Sequence, residues 1–363
     1  MKRLIAMLLA SVAAVLLIAY AGGMSGGKRT DGIYYKATGI HPDAELLEIN
    51  GETVTAEEYL YWLAYVCEYL NATAGGKLDL TAQINETTTF GEYAKMDALN
   101  TVKLYAVTRA WAEENGIALT EEDEAALEAQ RQQYVSYYGG EEAYLQQLEL
   151  LGITAEMLHD IEATPYLYVH LHDAFVAPDG ALYPGDEALT QYGSEKGYLT
   201  ARLLYFATTG MDDAGKADVR AKAESYAEKM QQAEDKNATF VELEKELGLE
   251  TNSDGLTFRK DTSDPAVCSA VEALEEGQVS GVIEGGNGYY VALRMPLNHQ
   301  ALLEDLFQEH LQEMKESAKI EYNNRLYNKI DTTEFYRRLT EERAALMQGP
   351  MGQVPTLDSN ANG

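Results

Sequence analysis

The sequence predicts an α+β protein: a helical domain built from N- and C-terminal segments, with a small α/β module inserted between them. Two strand-like segments frame the module. Thr200-Ala-Arg-Leu-Leu-Tyr-Phe-Ala207 is β-branched and aromatic and leaves through the turn-rich Thr208-Thr-Gly-Met-Asp-Asp213. Gly288-Tyr-Tyr-Val-Ala-Leu-Arg-Met295 follows the glycine-rich turn Glu284-Gly-Gly-Asn-Gly288. On both sides of the module, apolar residues recur at helical spacing. The tract from His299 to about Met347 sets Leu303, Phe307, Leu311, Met314 and Ala318 on one face. It cannot bury that face alone, so the economical arrangement returns it to the helices near the start of the chain.

In order along the chain, residues 1–23 read as an export segment. Lys2-Arg3 supply the basic start, Leu4 to Ile18 is apolar apart from Ser11, and Ala19-Tyr20-Ala21 has the small-x-small cleavage pattern. Cleavage after Ala21 and retention as a single N-terminal membrane anchor both fit. No cysteine stands nearby for lipid attachment. Residues 24–45, entered through Gly22-Gly-Met-Ser-Gly-Gly27, read as a flexible spacer. The helical domain is expected over 46–192. It opens with a short strand, an Asn50-Gly51 tight turn, and a helix capped by Thr55 with Glu58 at capping-box spacing. Helices follow over Ala98 to Asn115, from Thr120 to Gly139, over Glu141 to Leu150, and from Gly152-Ile-Thr-Ala-Glu156. The turn-rich stretch Ala177 to Asp186 suits a hinge, and Asp186 to Tyr192 a short helix.

The module is placed at 198–297. Its helices are expected over Lys216 to Gln232, over Phe240 to Leu247, and from Asp264, an N-cap followed by Pro265, to a stop at Gly277. Pro296 ends the last strand. Residues 298–347 form the returning helical tract, interrupted near Asp331-Thr-Thr333, and 348–363 an unstructured tail rich in Gly, Pro, Ser and Asn.

Composition excludes several classes. The 363 residues are 46% hydrophobic, enough for two or three cored domains. Lys+Arg of 28 against Asp+Glu of 59 gives a net charge of −31, which disfavours nucleic acid and anionic membrane surfaces as partners. The two cysteines, Cys67 and Cys268, fit either one disulfide or two buried thiols. His170 and His172 are two apart in a helical pattern and share no face, so no metal is expected. No cofactor motif and no nucleophile–base arrangement is visible. Two alternating βα lobes, as a solute-binding protein would need, are lacking. Tyrosine is abundant, 25 against 7 phenylalanines, notably Tyr59, Tyr61, Tyr65, Tyr69, Tyr134, Tyr137, Tyr138, Tyr144, Tyr166 and Tyr168. Such residues serve equally as core or as an adaptable, wet contact surface.

The order of elements in the module, with Glu276-Gly-Gln-Val-Ser280 ahead of Val282-Ile283 and Gly288-Tyr289, resembles the parvulin (PpiC-type) peptidyl-prolyl isomerase domain. The strand, Asn50-Gly51 turn and capped helix, followed by the helix start Gly152-Ile-Thr-Ala-Glu156, resemble the chaperone domain of SurA/PrsA-type foldases. The resemblance implies an exported folding factor acting on unfolded or proline-containing polypeptide clients. Nothing in the sequence sets its oligomeric state. The family's two histidines are replaced, by Leu203 in the opening strand and Tyr290 in the closing one. Its Gly-Gly-Asp-Leu-Gly loop survives as Ser253-Asp254-Gly255-Leu256, and Val267 stands at the position of a pocket phenylalanine. By resemblance, then, the site residues are Leu203, Asp254, Val267 and Tyr290, and turnover there is expected to be weak or absent. The other reading is a binding or scaffold protein that uses the module only to dock partners.

Overall fold

The computed structural model describes residues 29–348 of the chain. They form two compact units, one of residues 29–172 with 310–348 and one of residues 173–309. The expected export segment and tail lie outside the described residues.

The first unit begins with a short helix, α1 (Ile33–Thr38), inside the stretch expected to be spacer. Six residues cannot hold a helix by themselves. Tertiary packing supplies the difference: Ile33, Tyr34 and Ala37 are buried, the Tyr34 hydroxyl donates to the Leu151 carbonyl (2.6 Å), and its ring lies 5.9 Å from that of Phe335. Strands β1 (Glu45–Ile49) and β2 (Glu52–Thr55) make a hairpin through Asn50 and Gly51, whose φ values of 53° and 89° are those a tight hairpin turn requires. Helix α2 (Ala56–Thr73) starts where Thr55 accepts from the Glu58 amide. The Glu58 carboxylate does not complete a capping box. It receives both terminal nitrogens of Arg109 at 3.1 Å instead, tying α2 to α3.

After β3 (Gln83–Asn85) and β4 (Thr88–Thr89), helix α3 (Phe90–Glu114) begins well ahead of Ala98, because Thr89 and Glu92 form a reciprocal capping box. Helices α4 (Glu121–Tyr138), α5 (Glu141–Leu151) and α6 (Ala155–Val176) follow. Thr120 caps α4, and Thr154 accepts from the Met157 amide at the start of α6. His170 pairs with the capping carboxylate Asp123 at 2.7 Å. Tyr59 and Tyr144 are fully buried, whereas Tyr69 and Tyr137 are 58% and 61% exposed, so the tyrosines divide between core and surface.

The second unit holds α7 (Asp186–Lys196), β5 (Tyr198–Ala207), α8 (Asp213–Gln232), α9 (Lys236–Leu247), β6 (Leu256–Arg259), α10 (Pro265–Glu272), β7 (Ile283–Gly285), β8 (Gly288–Arg294) and the first part of α11 (His299–Ser317). Its strands form an antiparallel sheet in the order β6-β5-β8-β7. One face packs on α8 and α9 through Leu204, Phe206, Val291, Leu293, Tyr226, Met230 and Phe240. Asp264 caps α10 as expected, but the helix ends at Glu272, not at Gly277. Gly277 (φ 78°) forms a later turn, and its amide donates to the Arg294 carbonyl (2.8 Å), so that Val279 and Ser280 run beside β8.

The returning tract is not one helix. α11 stops at Ser317, and β9 (Ile320–Tyr322) pairs antiparallel with β1, giving a sheet in the order β2-β1-β9. Helices α12 (Asn324–Tyr327) and α13 (Thr332–Gln348) complete the first unit, with α13 packed on α1. The return to the N-terminal segment is thus made by β9 and α13. Leu303 and Phe307 of the expected apolar face are buried in the second unit, where the Phe307 ring meets that of Phe175 at 5.4 Å. Cys67 and Cys268 are free, buried thiols. No helix among the described residues is long and apolar enough to cross a membrane.

Candidate functional site

Side chains two apart in a strand share a face. The register sets Leu203 opposite Ala292 and Tyr205 opposite Tyr290, with Ile283 of β7 on the far side of Tyr290. Leu203, Ala292, Tyr290 and Ile283 cluster with Val267, Cys268 and Val271 of α10, and Phe258 of β6 packs against the same cluster. The Tyr205 and Tyr290 rings stack at 5.0 Å with 29° between their planes. Both hydroxyls end on one residue: Tyr290 donates to Asn287 Oδ1 (2.6 Å) and Tyr205 to the Asn287 carbonyl (3.1 Å). Asp264 closes the end of the site. One carboxylate oxygen caps α10 through the amides of Ala266 (2.9 Å) and Val267 (3.4 Å), and the other accepts from the Gly286 amide (2.8 Å) in the β7–β8 turn.

Of the four residues singled out in the sequence, Leu203, Val267 and Tyr290 come together on this face. Val267 is only 4% exposed and fills space between helix and sheet. Asp254 stands apart, exposed in the turn before β6, where it accepts from Ser253 Oγ (3.2 Å). Tyr205, Asn287 and Asp264 belong to the site although the sequence points to none of them as site residues, Asp264 being legible there only as a helix cap. The two-residue period would have put Tyr205 beside Leu203; the role of Asn287 has no local signature.

Burial, with Tyr205 and Asp264 close by, raises the Tyr290 hydroxyl above the ordinary tyrosine range, so it stays protonated and donates. Burial raises the Cys268 thiol. The Gly286 amide, with those of Ala266 and Val267, holds Asp264 below the usual carboxylate range. The arrangement therefore offers an apolar aromatic surface with a protonated Tyr290 hydroxyl, suited to non-covalent work rather than proton transfer or nucleophilic attack.

Residues 195–294 match the PPIC-type PPIASE domain. That range takes in the whole sheet and the face just described. Among solved structures, the chain is similar to PrsA from Bacillus subtilis (15% identity, 75% of this chain and 94% of that one, TM-score 0.25). It is also similar to the foldase protein PrsA from Streptococcus pneumoniae (18%, 87% and 96%, TM-score 0.24) and to a SurA-like chaperone of Campylobacter jejuni (14%, 77% and 100%, TM-score 0.22). At such scores no residue-level geometry transfers from them. A comparison with curated proteins gives no match. The PPIC-type module lies between chain segments that together form a separate, mainly helical unit.

Proposed function

We propose that the chain is an extracytoplasmic folding factor, in which the helical unit holds unfolded polypeptides and the PPIC-type module engages their prolyl bonds at the Leu203–Tyr205–Tyr290 face. The observation that carries this reading is the match of residues 195–294 to the PPIC-type family, with an apolar, aromatic face at the join of β5, β8 and α10. The export pattern of residues 1–23 supports the location. Rotation about a peptide bond faces a barrier of about 18–20 kcal/mol. A catalyst lowers it by holding the twisted amide away from water and donating to it, without a covalent step. Here the donors are tyrosine hydroxyls already committed to Asn287, so turnover is slow.

A second reading, a docking domain without turnover, is favoured by Val267, whose buried side chain fills the space against Leu203 and Tyr290. Exchange NMR of a proline tetrapeptide, with the full chain and with Tyr290→Ala, separates the two, run beside an aggregation-suppression assay. Acceleration that disappears in Tyr290→Ala supports the isomerase. Saturable peptide binding without acceleration, also lost in Tyr290→Ala, supports docking. Absence of acceleration, binding and suppression together overturns the folding-factor reading.

A further inference from the structure

Within the first unit, Glu162 of α6 is 2% exposed, and its Oε2 has no hydrogen-bond partner. Its other oxygen accepts a long bond from Gln130 Nε2 of α4 (3.4 Å), and no lysine or arginine among the described residues pairs with it. Beside it, Tyr144 of α5 is fully buried and its hydroxyl also lacks a partner. Tyr61 of α2, Tyr134 of α4 and Tyr166, one turn further along α6, are close enough that a charge on Glu162 adds to the effect of burial in raising their hydroxyls. These three are partly buried, unlike Tyr144 and Glu162.

The other charges nearby already have ionic partners. Arg131 of α4 lies 5.9 Å from the Tyr144 ring and is paired through its terminal nitrogens with Glu128 (3.5 Å) and Glu141, while its Nε is buried without a partner. Glu68 of α2, whose charge also acts on Tyr61, is bound to Arg343. A carboxyl group buried without a counter-charge is costly unless it is neutral or finds a cation, and buried orphan atoms of this kind are rare in native folds. Tyrosine ring faces attract ammonium and guanidinium groups, and a carboxylate among them supplies the opposite charge.

We propose that this tyrosine-lined nest around Glu162 binds the cationic end of a lysine or arginine side chain from a client polypeptide, the carboxylate pairing with the charge and the rings enclosing the stem. The source of the side chain rests on the folding-factor reading; the recognition chemistry does not. A net charge of −31 draws basic segments toward the protein in the first place.

Burial pushes the Glu162 carboxyl up to about 9, so it is neutral at pH 7 and must release its proton to hold a cation. The surrounding tyrosines, all raised, stay neutral over the same range. Affinity for a cation therefore rises about tenfold per pH unit between pH 6 and pH 8.

Isothermal titration of the full chain with N-acetyl-lysine methylamide and N-acetyl-arginine methylamide tests this, with N-acetyl-norleucine methylamide as the uncharged control. Runs at pH 7 in two buffers of different ionisation enthalpy count the protons released. The expected result is saturable binding of the basic probes only, close to one proton released, and at least tenfold weaker binding by Glu162→Gln. No saturable binding, equal binding of norleucine, no proton release, or an unaffected Glu162→Gln each overturns the proposal. The proton count uses the unaltered chain, so it stands even if the variant folds poorly. Binding of the basic probes by a chain that neither accelerates prolyl exchange, nor binds the proline peptide, nor suppresses client aggregation would leave the nest standing and remove the folding-factor reading.

Discussion

Replacing Glu244 with alanine should loosen the PPIC-type module far more than its surroundings. Arg202 of β5 and Glu244 of α9 form an ion pair at 2.5 Å, with side chains 2% and 5% exposed. The guanidinium also donates to the Asn237 carbonyl (3.4 Å) and lies 4.6 Å from the Phe240 ring, while its Nε has no partner. Arginine cannot discard its charge, so Glu244→Ala leaves a buried cation with one weak carbonyl contact and a ring face. Breaking a buried pair from one side costs about 3–5 kcal/mol. That raises the opening constant of the module by roughly two to nearly four powers of ten.

Replacing both partners with apolar residues of similar size, Arg202→Met with Glu244→Leu, should restore most of this, since the desolvation of both charges disappears with the pair. Native-state hydrogen exchange of peptides from β5 and α9 measures the effect. Both tryptophans, Trp62 and Trp111, belong to the other unit, so their fluorescence serves as the internal control. The reasoning fails if exchange in β5 and α9 rises less than tenfold in Glu244→Ala, or if the double variant is as damaged as the single one.

Three further outcomes follow from the same geometry. Asp264→Ala should cost about 1–2 kcal/mol by uncapping α10 and freeing the Gly286 amide. Because the folded carboxyl is held below its ordinary value, that contribution is full above the ordinary carboxylate range and is lost as pH falls through the depressed one, so exchange in α10 should converge between variant and wild type in acid. Glu162 acts in the opposite sense: unfolded it loses its proton near 4.3, folded near 9, so the first unit weakens as pH rises between those values by at most about 1.4 kcal/mol per unit. Urea melts followed by tryptophan fluorescence at pH 6 and pH 8 should show that loss in wild type and not in Glu162→Gln; parallel curves would contradict it. Gly288→Ala would bring a Cβ to 2.3 Å from the Phe206 carbonyl oxygen and 2.8 Å from the Tyr205 ring, so it should cost about 1–3 kcal/mol and increase exchange at the β5–β8 end beside the tyrosine pair. Unchanged exchange there would mean that the pairing is looser than described.

What could be read from the chain was what local chemistry dictates. Thr120 and Asp264 announce helix starts because their side chains must satisfy amides a few residues on, and Asn50-Gly51 announces a turn because both adopt positive φ. Strands β5 and β8 stood out because both are long and apolar, as strands of a buried sheet are. Elements that depend on distant partners did not stand out. α1 is too short for periodicity to show, and it is a helix because Leu151 and Phe335 receive Tyr34. β9 is three residues long and is a strand because β1 offers it an edge, an interaction that joins Leu47 to Tyr322.

The site divides along the same line. Two-residue alternation brings Leu203 and Tyr205 to one face, and family resemblance points to Tyr290 opposite. That Tyr290 would stack on Tyr205 required the pairing register, and that both hydroxyls would end on Asn287 required the conformation of a turn joining different strands. Asp254 was inferred from a loop pattern alone, and the structure gives it only a local turn bond, whereas Asp264, read in the sequence merely as a helix cap, spends its second oxygen on the β7–β8 turn. A cap that also clamps the neighbouring turn couples the position of α10 to that of Asn287, and through Asn287 to both tyrosine hydroxyls. The polar chemistry of this face is thus set by backbone amides and one turn residue, whose partners belong to other strands and leave no local pattern in the sequence.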